Sequence, residues 1–513
     1  MNPTSWRNLK ILCRWPAGSQ YHQVIIRRCP TAKPVASWHT GSSNTQLNAK
    51  RQMSSVLYPG HFKEGSVLVT EVDLNLKSRF KNIRALFENV RARKMSEKVN
   101  VYHLASMYKT LTEVEKKKNE LDAERQQNSD QMKLLLKVSQ TDSVLRKKEE
   151  LIARGKEIRE NLREVNKYYY DLEEEVILYA LQLPSDLHPS TSEVDDKVLR
   201  EIGSIKSNSS RKPVGHMLIG RKTGTIFRKN VGPVQCYLRK NVANLEQEIS
   251  YRVGVKLRQL GFTQVSCPDM VKTIIVEGTG QDITDPQTVY VLQEKKSGDD
   301  SDDENLTNRT LHLVGASPQV FAVNSHLILK YLPDIGMILI VNISSSSSHV
   351  TARNTPGAGL FSVPQCNVVE VFGVAKDERD ASALYDEFQT TFWNLYQVLS
   401  DQMPIRLVAR CARNLTVSEA GHVDVQAWSY SQQQFVTVGS VSLWSDFLSR
   451  RLMTMWSTNV NRLERGHFVH TVHGTAVNIT TLVGLLMEAY QTSDGNFKIS
   501  EDLMRSWSAD IPV

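Results

Sequence analysis

Three absences in the 513-residue sequence limit what it can be. No run of apolar residues approaches the roughly eighteen that a membrane-crossing helix needs, so we expect no membrane span. No Cys-x-x-Cys pair occurs, which argues against a zinc site or a disulfide framework. The six cysteines are instead scattered, at Cys13, Cys29, Cys236, Cys267, Cys366 and Cys411. Acidic residues are absent before Glu64.

The acid-free N-terminus is strongly basic. Nine Lys and Arg residues precede Glu64, and without them 54 basic residues stand against 55 acidic residues. A basic leader that contains Ser and interleaved apolar residues is typical of a mitochondrial transit peptide, because the membrane potential draws such a segment inward. We therefore predict a transit peptide over about residues 1–50 and a location in the mitochondrial matrix. A disordered basic tail is the alternative.

Heptad spacing dominates the next part of the chain, an N-terminal helical arm over residues 65–183. Apolar residues recur at seven-residue steps in two stretches, and the pattern breaks near SQTDS at residues 139–143. Sustained heptads indicate a narrow apolar seam and hence a coiled coil. The seam residues are Leu104, Met107, Leu111, Val114, Leu121, Val144, Leu151, Ile158, Leu162, Val165, Tyr169, Leu172, Val176 and Tyr179. We predict an antiparallel helical hairpin over about residues 104–182, about 50 Å long.

A Pro-, Ser- and Gly-containing linker is predicted over residues 184–215, followed by a second domain over residues 216–513. In that domain, short β-rich runs alternate with a few helices, which predicts an α+β fold on an antiparallel sheet with flanking helices. Helices are predicted at Cys236–Leu260 and Ser382–Asp401. The first of these has apolar residues every three or four positions, and we expect that face to form a subunit interface.

Several ordered stretches resemble the seryl-tRNA synthetases, a family of class II aminoacyl-tRNA synthetases. GFTQVSCPDMV resembles the class II motif 1 segment, and EGTGQ at Glu277–Gln281 matches a Gly-Thr-Gly-Gln turn of the family. HVDVQAWSYSQQQFVTVGSVSLWSDFLSRR resembles the strands of its serine pocket, and HTVHGT at His470–Thr475 resembles the segment before motif 3. The resemblance implies a class II fold preceded by a tRNA-binding arm.

The charged residues that the family's motifs would supply are replaced in this sequence. Matched to the family, the arginine and glutamate of motif 2 become Ser347 and His349, and the motif 3 arginine becomes Thr481. A metal-binding glutamate becomes Thr437, and a serine-pocket glutamate becomes Pro318. Lost arginine–phosphate pairs cost several kcal/mol each, on the order of many powers of ten in rate together. We therefore expect a non-catalytic family member with no cofactor and no bound metal, most similar to the degenerate seryl-tRNA synthetase-like proteins of insect mitochondria.

Two basic clusters on the arm are the candidate RNA contacts: Lys116, Lys117 and Lys118, then Arg146, Lys147 and Lys148. Nine basic and five acidic residues lie between Lys116 and Lys148. All six are expected to lie off the apolar seam and to contact phosphates without reading sequence. Solvated coiled-coil faces are the alternative.

The predicted function is association in mitochondrial translation or RNA metabolism. The expected partners are a tRNA, preferably a serine tRNA, or another mitochondrial RNA, and a second subunit. That subunit is either a copy of this chain or the active mitochondrial seryl-tRNA synthetase. A structural partner of that enzyme and an aminoacylating enzyme of altered specificity are the alternatives. His470 and His473 have the spacing of a metal pair, but no third ligand is evident, so a structural role is favoured.

Overall fold

A computed structural model describes residues 55–58, 72–136, 142–205, 214–229, 235–283, 289–292, 310–315, 317–322, 337–348, 359–363, 365–456, 466–499 and 503. For residues 228, 229, 235 and 337–348 only the backbone is described. The predicted transit peptide, the side chain of Ser347 and all of His349 lie outside the described part. Among the described residues, no helix combines the length and the hydropathy that crossing a bilayer requires.

The N-terminal part is helical. A short helix α1 (Leu76–Arg79) and a 3-10 turn (Phe80–Asn82) lead into α2 (Ile83–Ala92). Two long helices follow, α3 (Val101–Leu135) and α4 (Asp142–Ala180), which pack against each other as a hairpin. Asn100 caps α3, because its side chain accepts a hydrogen bond from the His103 amide.

The hairpin seam follows the heptads, which confirms the predicted helical hairpin. Ile158 and Leu162 are buried in its length, and at its base the seam widens into a small core with α2. That core consists of Leu74, Leu86, Val90, Val99, Val101, Leu104, Met107, Leu111, Val176, Ala180 and Leu183. The distal part of the hairpin has only its narrow seam, so most of its stability comes from packing near the base.

The C-terminal part is built on an eight-stranded sheet, which confirms the predicted α+β class. The strand order is β1-β10-β11-β12-β15-β9-β8-β4, and every pairing is antiparallel except that of β4 with β8. The strands are β1 (Lys197–Ile202), β4 (Thr263–Val265), β8 (Met337–Ser348), β9 (Gln365–Ala375), β10 (Ile405–Ala409), β11 (Gly421–Ser429), β12 (Gln434–Ser445) and β15 (His470–Asn478). The edge strand β1 lies within the segment predicted as a linker.

Smaller elements complete this part. A ribbon pairs β2 (Ile226–Lys229) with β3 (Gln235–Leu238), and another pairs β13 (Met455–Trp456) with β14 (His467–Phe468). A three-stranded sheet contains β5 (Met270–Lys272), β6 (Tyr290–Leu292) and β7 (Leu311–Leu313). The helices are α5 (His216–Thr223), α6 (Asn241–Gln259), α7 (Thr273–Gly278), α8 (Glu378–Tyr396), α9 (Phe447–Leu452) and α10 (Ile479–Ala489), with 3-10 turns at Gly359–Phe361, Gln397–Leu399 and Ala412–Asn414.

Helices α6, α8 and α10 cover one face of the large sheet. Alternate strand residues point into this layer, which forms the main core of the molecule. Gly474 of β15 is needed here, because a Cβ atom at this position would lie 2.9 Å from the Phe392 ring of α8. The close approach of α8 to β15 therefore depends on the missing side chain.

Two predictions about α6 are wrong. The helix begins at Asn241, and Cys236 lies in β3 instead. Its apolar face was expected to be exposed as a subunit interface, but it is buried within the chain against α10 and the sheet. The residues of that face are Val242, Leu245, Ile249, Val253 and Leu257. The periodicity indicated burial correctly, and the covering surface belongs to the same chain.

Candidate functional site

The second face of the large sheet is polar. A row of directly paired residues crosses five neighbouring strands from β11 to β8, and these are Asp424, Ser440, Thr475, Glu370 and Asn342. Directly paired residues share a face of the sheet. A second row beside it contains His422, Ser442, His473 and Phe372. The antiparallel register therefore collects polar groups from distant parts of the sequence on one surface.

Glu370 lies at the centre of this surface. Its side chain is 3% exposed, and its Oε1 accepts a hydrogen bond of 2.9 Å from the Thr475 hydroxyl. The other carboxylate oxygen lies 2.6 Å from Nε2 of His473. Trp444 and Phe321 lie beside the His473 ring, and Phe321 stacks on Phe372. The site thus holds a carboxylate and an imidazole in a largely aromatic surrounding, where water screens charge weakly.

A second charged group lies nearer β10. The His422 ring is buried between two carboxylates, with Nδ1 2.6 Å from Glu419 and Nε2 3.2 Å from Asp424. Arg410 donates two hydrogen bonds to Asp424, at 2.7 and 2.8 Å. The Ser442 hydroxyl donates to Glu419 at 2.8 Å. Four ionisable side chains and one hydroxyl therefore form a continuous network, which is buried except for the partly exposed Arg410.

The pKa values in this network follow from mutual charge. Burial alone would lower the pKa of His422, but the charge of Glu419 and the hydrogen bonds to Asp424 and Glu419 together outweigh burial and raise it to about 9. Burial opposes the charged form of Glu419 as well, and the His422 charge instead holds its pKa well below the usual range. The pKa of Asp424 is lowered by hydrogen bonds from His422 and Arg410, against the effect of burial. The network is therefore charged at neutral pH.

The substituted motif positions are not gathered in one place. Thr481 is buried in the first turn of α10, where its amide donates to the Asn478 side chain. Thr437 is exposed on β12 opposite Gln426, and Pro318 is half-buried. Ser347 pairs with Cys366 at the end of β8. His470 and His473 lie on opposite faces of β15, because they are three positions apart along a regularly paired strand, so they cannot share one ligand.

Sequence reasoning missed both charged groups on the polar face. The alternation of His422, Asp424 and Gln426 along one strand was a usable signal, since every second residue shares a face. Glu419 lies in the turn before β11, and Glu370 and His473 lie on different strands. Their proximity depends on strand order and register, which periodicity does not reveal.

Known proteins are similar to this chain in sequence and in architecture. The mitochondrial serine–tRNA ligase of Mus musculus is 27% identical over 407 residues, which cover 77% of this chain and 74% of that protein. That of Bos taurus is 26% identical over 465 residues, covering 87% and 85%. No protein-family model matches the sequence.

Over most of its length, this chain is similar to the seryl-tRNA synthetases. The fold agrees. Seryl-tRNA synthetase from Pyrococcus horikoshii, solved with ATP, superposes with a TM-score of 0.70 at 21% identity, over 85% of this chain and 99% of that one. A cytoplasmic serine–tRNA ligase from Naegleria fowleri, solved with AMP, gives a TM-score of 0.68 at 17% identity, over 85% and 97%.

One prediction is wrong. The relatives and the structural neighbours of this chain are serine–tRNA ligases, which contradicts the prediction that it is not an enzyme. That prediction rested on residues missing from short motif matches. It took no account of the charged side chains of Glu370, His422 and Asp424, which the sheet brings together on the polar face.

The candidate RNA contacts on the hairpin are placed as follows. Lys116, Lys117, Arg146 and Lys147 are exposed, and Lys148 is half-buried. Lys118 does not lie off the seam, because its ammonium group lies 4.5 Å from the centre of the Tyr169 ring on the facing helix. Cation–π packing thus gives Lys118 a role within the hairpin. Tyr169, which marks the position of Lys118 on the facing helix, lies about 30 Å along α4 from Lys148. The two clusters are therefore separate surfaces.

Proposed function

We propose that this protein is a mitochondrial enzyme of the serine–tRNA ligase type with an altered active site. The hairpin binds tRNA, and the polar face of the sheet holds the small substrates and the 3′ end. The observation that carries the proposal is the concentration of buried charge around Glu370 and His422 on that face. Burying charged groups is costly, and proteins retain them most often at functional sites.

The substituted positions shape this proposal. Ser347, Thr437, Thr481 and Pro318 have no ionisable side chain, and His349 cannot supply the negative charge of the glutamate that it replaces. Binding of the substrates therefore has to come from other groups, and Glu370 with His473 is the pair that we propose to contact the ammonium group of the small substrate. A carboxylate and an imidazole in contact can bind an ammonium group or move a proton. The small substrate of this site is thus proposed to be an amino acid.

The hairpin is proposed to bind tRNA through phosphate contacts. Lys116 and Lys117 form a middle cluster, and Arg146, Lys147 and Lys148 form a cluster nearer the tip. Because phosphate contacts carry no base information, the hairpin would position the RNA and leave selection to shape or to other contacts.

The cellular setting is proposed from the relatives and the leader. The Mus musculus and Bos taurus relatives are mitochondrial, and the N-terminal residues 1–50 have the composition of a transit peptide. We propose the matrix as the location. We also propose that the protein binds a second subunit, which is either a copy of this chain or the seryl-tRNA synthetase of the same compartment. The face of α6 that was expected to bind it is covered within the chain.

Pyrophosphate exchange tests the proposal directly. With ATP, Mg²⁺ and each amino acid in turn, we expect exchange above background for at least one amino acid, and a Glu370→Gln variant should lose at least about tenfold of the rate. Glu387→Gln, an exposed change of the same chemistry on α8, is the matched control. In an assay for aminoacylation of mitochondrial RNA, the parent protein and the Glu387→Gln variant should again be more active than the Glu370→Gln variant. A parent protein without exchange for any amino acid would contradict the proposed reaction.

A further inference from the structure

A long acid-free segment lies in the body of the protein. Between Ile202 and Leu245 there is no Asp or Glu, although the whole chain after the leader is nearly neutral. The segment carries nine basic residues: Lys206, Arg211, Lys212, Arg221, Lys222, Arg228, Lys229, Arg239 and Lys240. Such a concentration produces a local positive potential that the overall charge balance conceals.

The described part of this segment forms helix α5 and the β2–β3 ribbon. Phe227 and Tyr237 are directly paired across the ribbon, so their rings share a face. Their side chains are 39% and 50% exposed, which is unusual for a neighbouring pair of aromatic residues. The Arg239 guanidinium lies 5.0 Å from the centre of the Phe227 ring. The ribbon therefore presents an aromatic surface with a cation stacked beside it.

Further cations border this surface. Arg221 and Lys222 at the end of α5 and Lys240 after β3 are exposed. Lys222 donates to the Asp494 carbonyl, and Lys240 donates to the Thr223 carbonyl at 3.5 Å. In the described part of the chain, Arg221, Arg239 and Lys240 form no salt bridge with a carboxylate, whereas Lys222 also interacts electrostatically with Asp494. The charges of Arg221, Arg239 and Lys240 are therefore available to a ligand.

Exposed aromatic rings with uncompensated cations fit one class of ligand. Unpaired nucleotides offer a flat base for stacking and a phosphate for each cation, whereas the bases of a duplex are already stacked. A second copy of the same acid-free surface would be repelled. We propose that the β2–β3 ribbon, with its bordering cations, binds unpaired nucleotides of RNA.

This inference rests on the proposed function in taking RNA as the ligand, and it concerns a different surface. The hairpin clusters would contact the phosphate backbone of a folded RNA, and the ribbon would bind a single-stranded part of the same RNA. Two surfaces of this kind would also explain how a protein whose hairpin reads no bases can prefer RNAs with an accessible unpaired segment.

The test uses the full chain and a fluorescein-labelled oligouridylate of about 12 nucleotides as the probe. Phe227→Ala with Tyr237→Ala should weaken binding at least about tenfold by anisotropy, since stacking on two rings is lost. Arg221→Gln with Arg239→Gln should also weaken binding and reduce its salt dependence. Arg379→Gln with Arg413→Gln removes two exposed charges elsewhere and is the matched control. The basic leader is the same in all variants.

Ultraviolet crosslinking supplies a second readout, in which the parent protein should yield a crosslinked peptide that contains Phe227 or Tyr237. Unchanged oligouridylate affinity in both ribbon variants would overturn the proposal. So would a change in molar mass by light scattering without a change in RNA affinity, since the ribbon would then be a subunit interface. Failure of amino-acid-dependent exchange would contradict the proposed reaction and leave this binding measurement unaffected.

Discussion

His422 is a histidine whose charge the surrounding residues determine. It contacts Glu419 on one side and Asp424 on the other, and the Ser442 hydroxyl lies 2.8 Å from its Nδ1. A neutral ring would leave two buried carboxylates without an adjacent charge on this side, which is costly in a poorly screened interior. The raised pKa of His422 means that the ring is charged in the folded chain. This charge stabilises the folded state and adds a positive charge to the polar face.

The stability effect of His422 should depend on pH. The pKa rises from an ordinary 6.5 to about 9 on folding, so the stabilisation is complete below about pH 6.5 and is lost as the pH rises through about 9. On the acid side, the ionised Glu419 stabilises the folded chain above its ordinary pKa of 4.5. This stabilisation is lost as the pH falls below 4.5 towards the lowered pKa of Glu419 in the folded chain. We expect His422→Gln to reduce the free energy of unfolding by about 3 kcal/mol near pH 6 and by much less above pH 9.

Denaturant unfolding at about pH 6 and pH 9.5 measures this difference. His467→Gln, an exposed change of the same chemistry, should have little effect at either pH. An equal loss of stability for His422→Gln at both values would show that its packing matters and its charge does not.

Single residues show where sequence reasoning succeeds and where it stops. The even spacing of His422, Asp424 and Gln426 already places them on one face of a strand. Lys118 was misplaced, because a heptad position predicts the side of a helix and does not predict that a lysine will lie on the Tyr169 ring of its neighbour. Such contacts are set by the rotation of one helix against the other.

Among the elements, the hairpin was predictable because its signal is local and repeated. Each heptad adds about two turns of seam, so the two helices and their break follow from the residues alone. Helix α6 was harder. The apolar run does not distinguish the end of β3 from the start of the helix, and an apolar face does not say whether the chain itself or a partner covers it.

The separation of the two hairpin clusters leads to a prediction for RNA binding. Lys116→Gln with Lys117→Gln, and Arg146→Gln with Lys147→Gln and Lys148→Gln, should each weaken tRNA binding and lower its salt slope by about one per lost phosphate contact. Because the clusters lie about 30 Å apart, a duplex too short to span them should respond to only one of the two variants. Titrations at several salt concentrations measure both effects.

Arg154→Gln is the control for the hairpin. Arg154 is exposed but already paired with Glu124 and Glu157, at 2.9 and 3.0 Å, so its loss should change the salt slope little. Equal tRNA binding by the parent protein and both cluster variants would show that the hairpin does not contact RNA through these residues.

At the scale of the whole molecule, a few buried contacts join the helical part to the sheet. The Arg93 guanidinium of the α2 C-terminus donates to the Ser185, Thr416 and Glu419 carbonyls, at 3.1, 2.7 and 2.6 Å. Burial lowers the pKa of Arg93 to about 10, which is a cost that the three carbonyls offset. The side chain of Glu419 also contacts His422. Glu419 therefore connects the base of the hairpin to the charged network on the sheet.

Residues 55–58, which lie shortly after the predicted leader region of residues 1–50, make a second connection. The Leu57 side chain is 1% exposed. The Val56 and Leu57 amides both donate to the Glu277 carboxylate, at 2.7 and 3.0 Å, and the Tyr58 hydroxyl contacts Glu173 on α4 at 3.3 Å. This short segment therefore contacts both the C-terminal part and the hairpin, and no periodicity in the sequence predicts it.

Processing of the leader should therefore stop before Ser55. A protein that starts at residue 51 should keep the melting temperature of the full chain. One that starts at residue 59 should lose about 2–4 kcal/mol, because the apolar burial of Leu57 and two hydrogen bonds to Glu277 disappear. The stability of a Leu57→Ala variant should lie between the stabilities of these two proteins. Calorimetry compares the three proteins, and mass spectrometry of the protein recovered from mitochondria gives its first residue. A mature chain that begins at or after Pro59, with undiminished stability, would contradict this role of the segment.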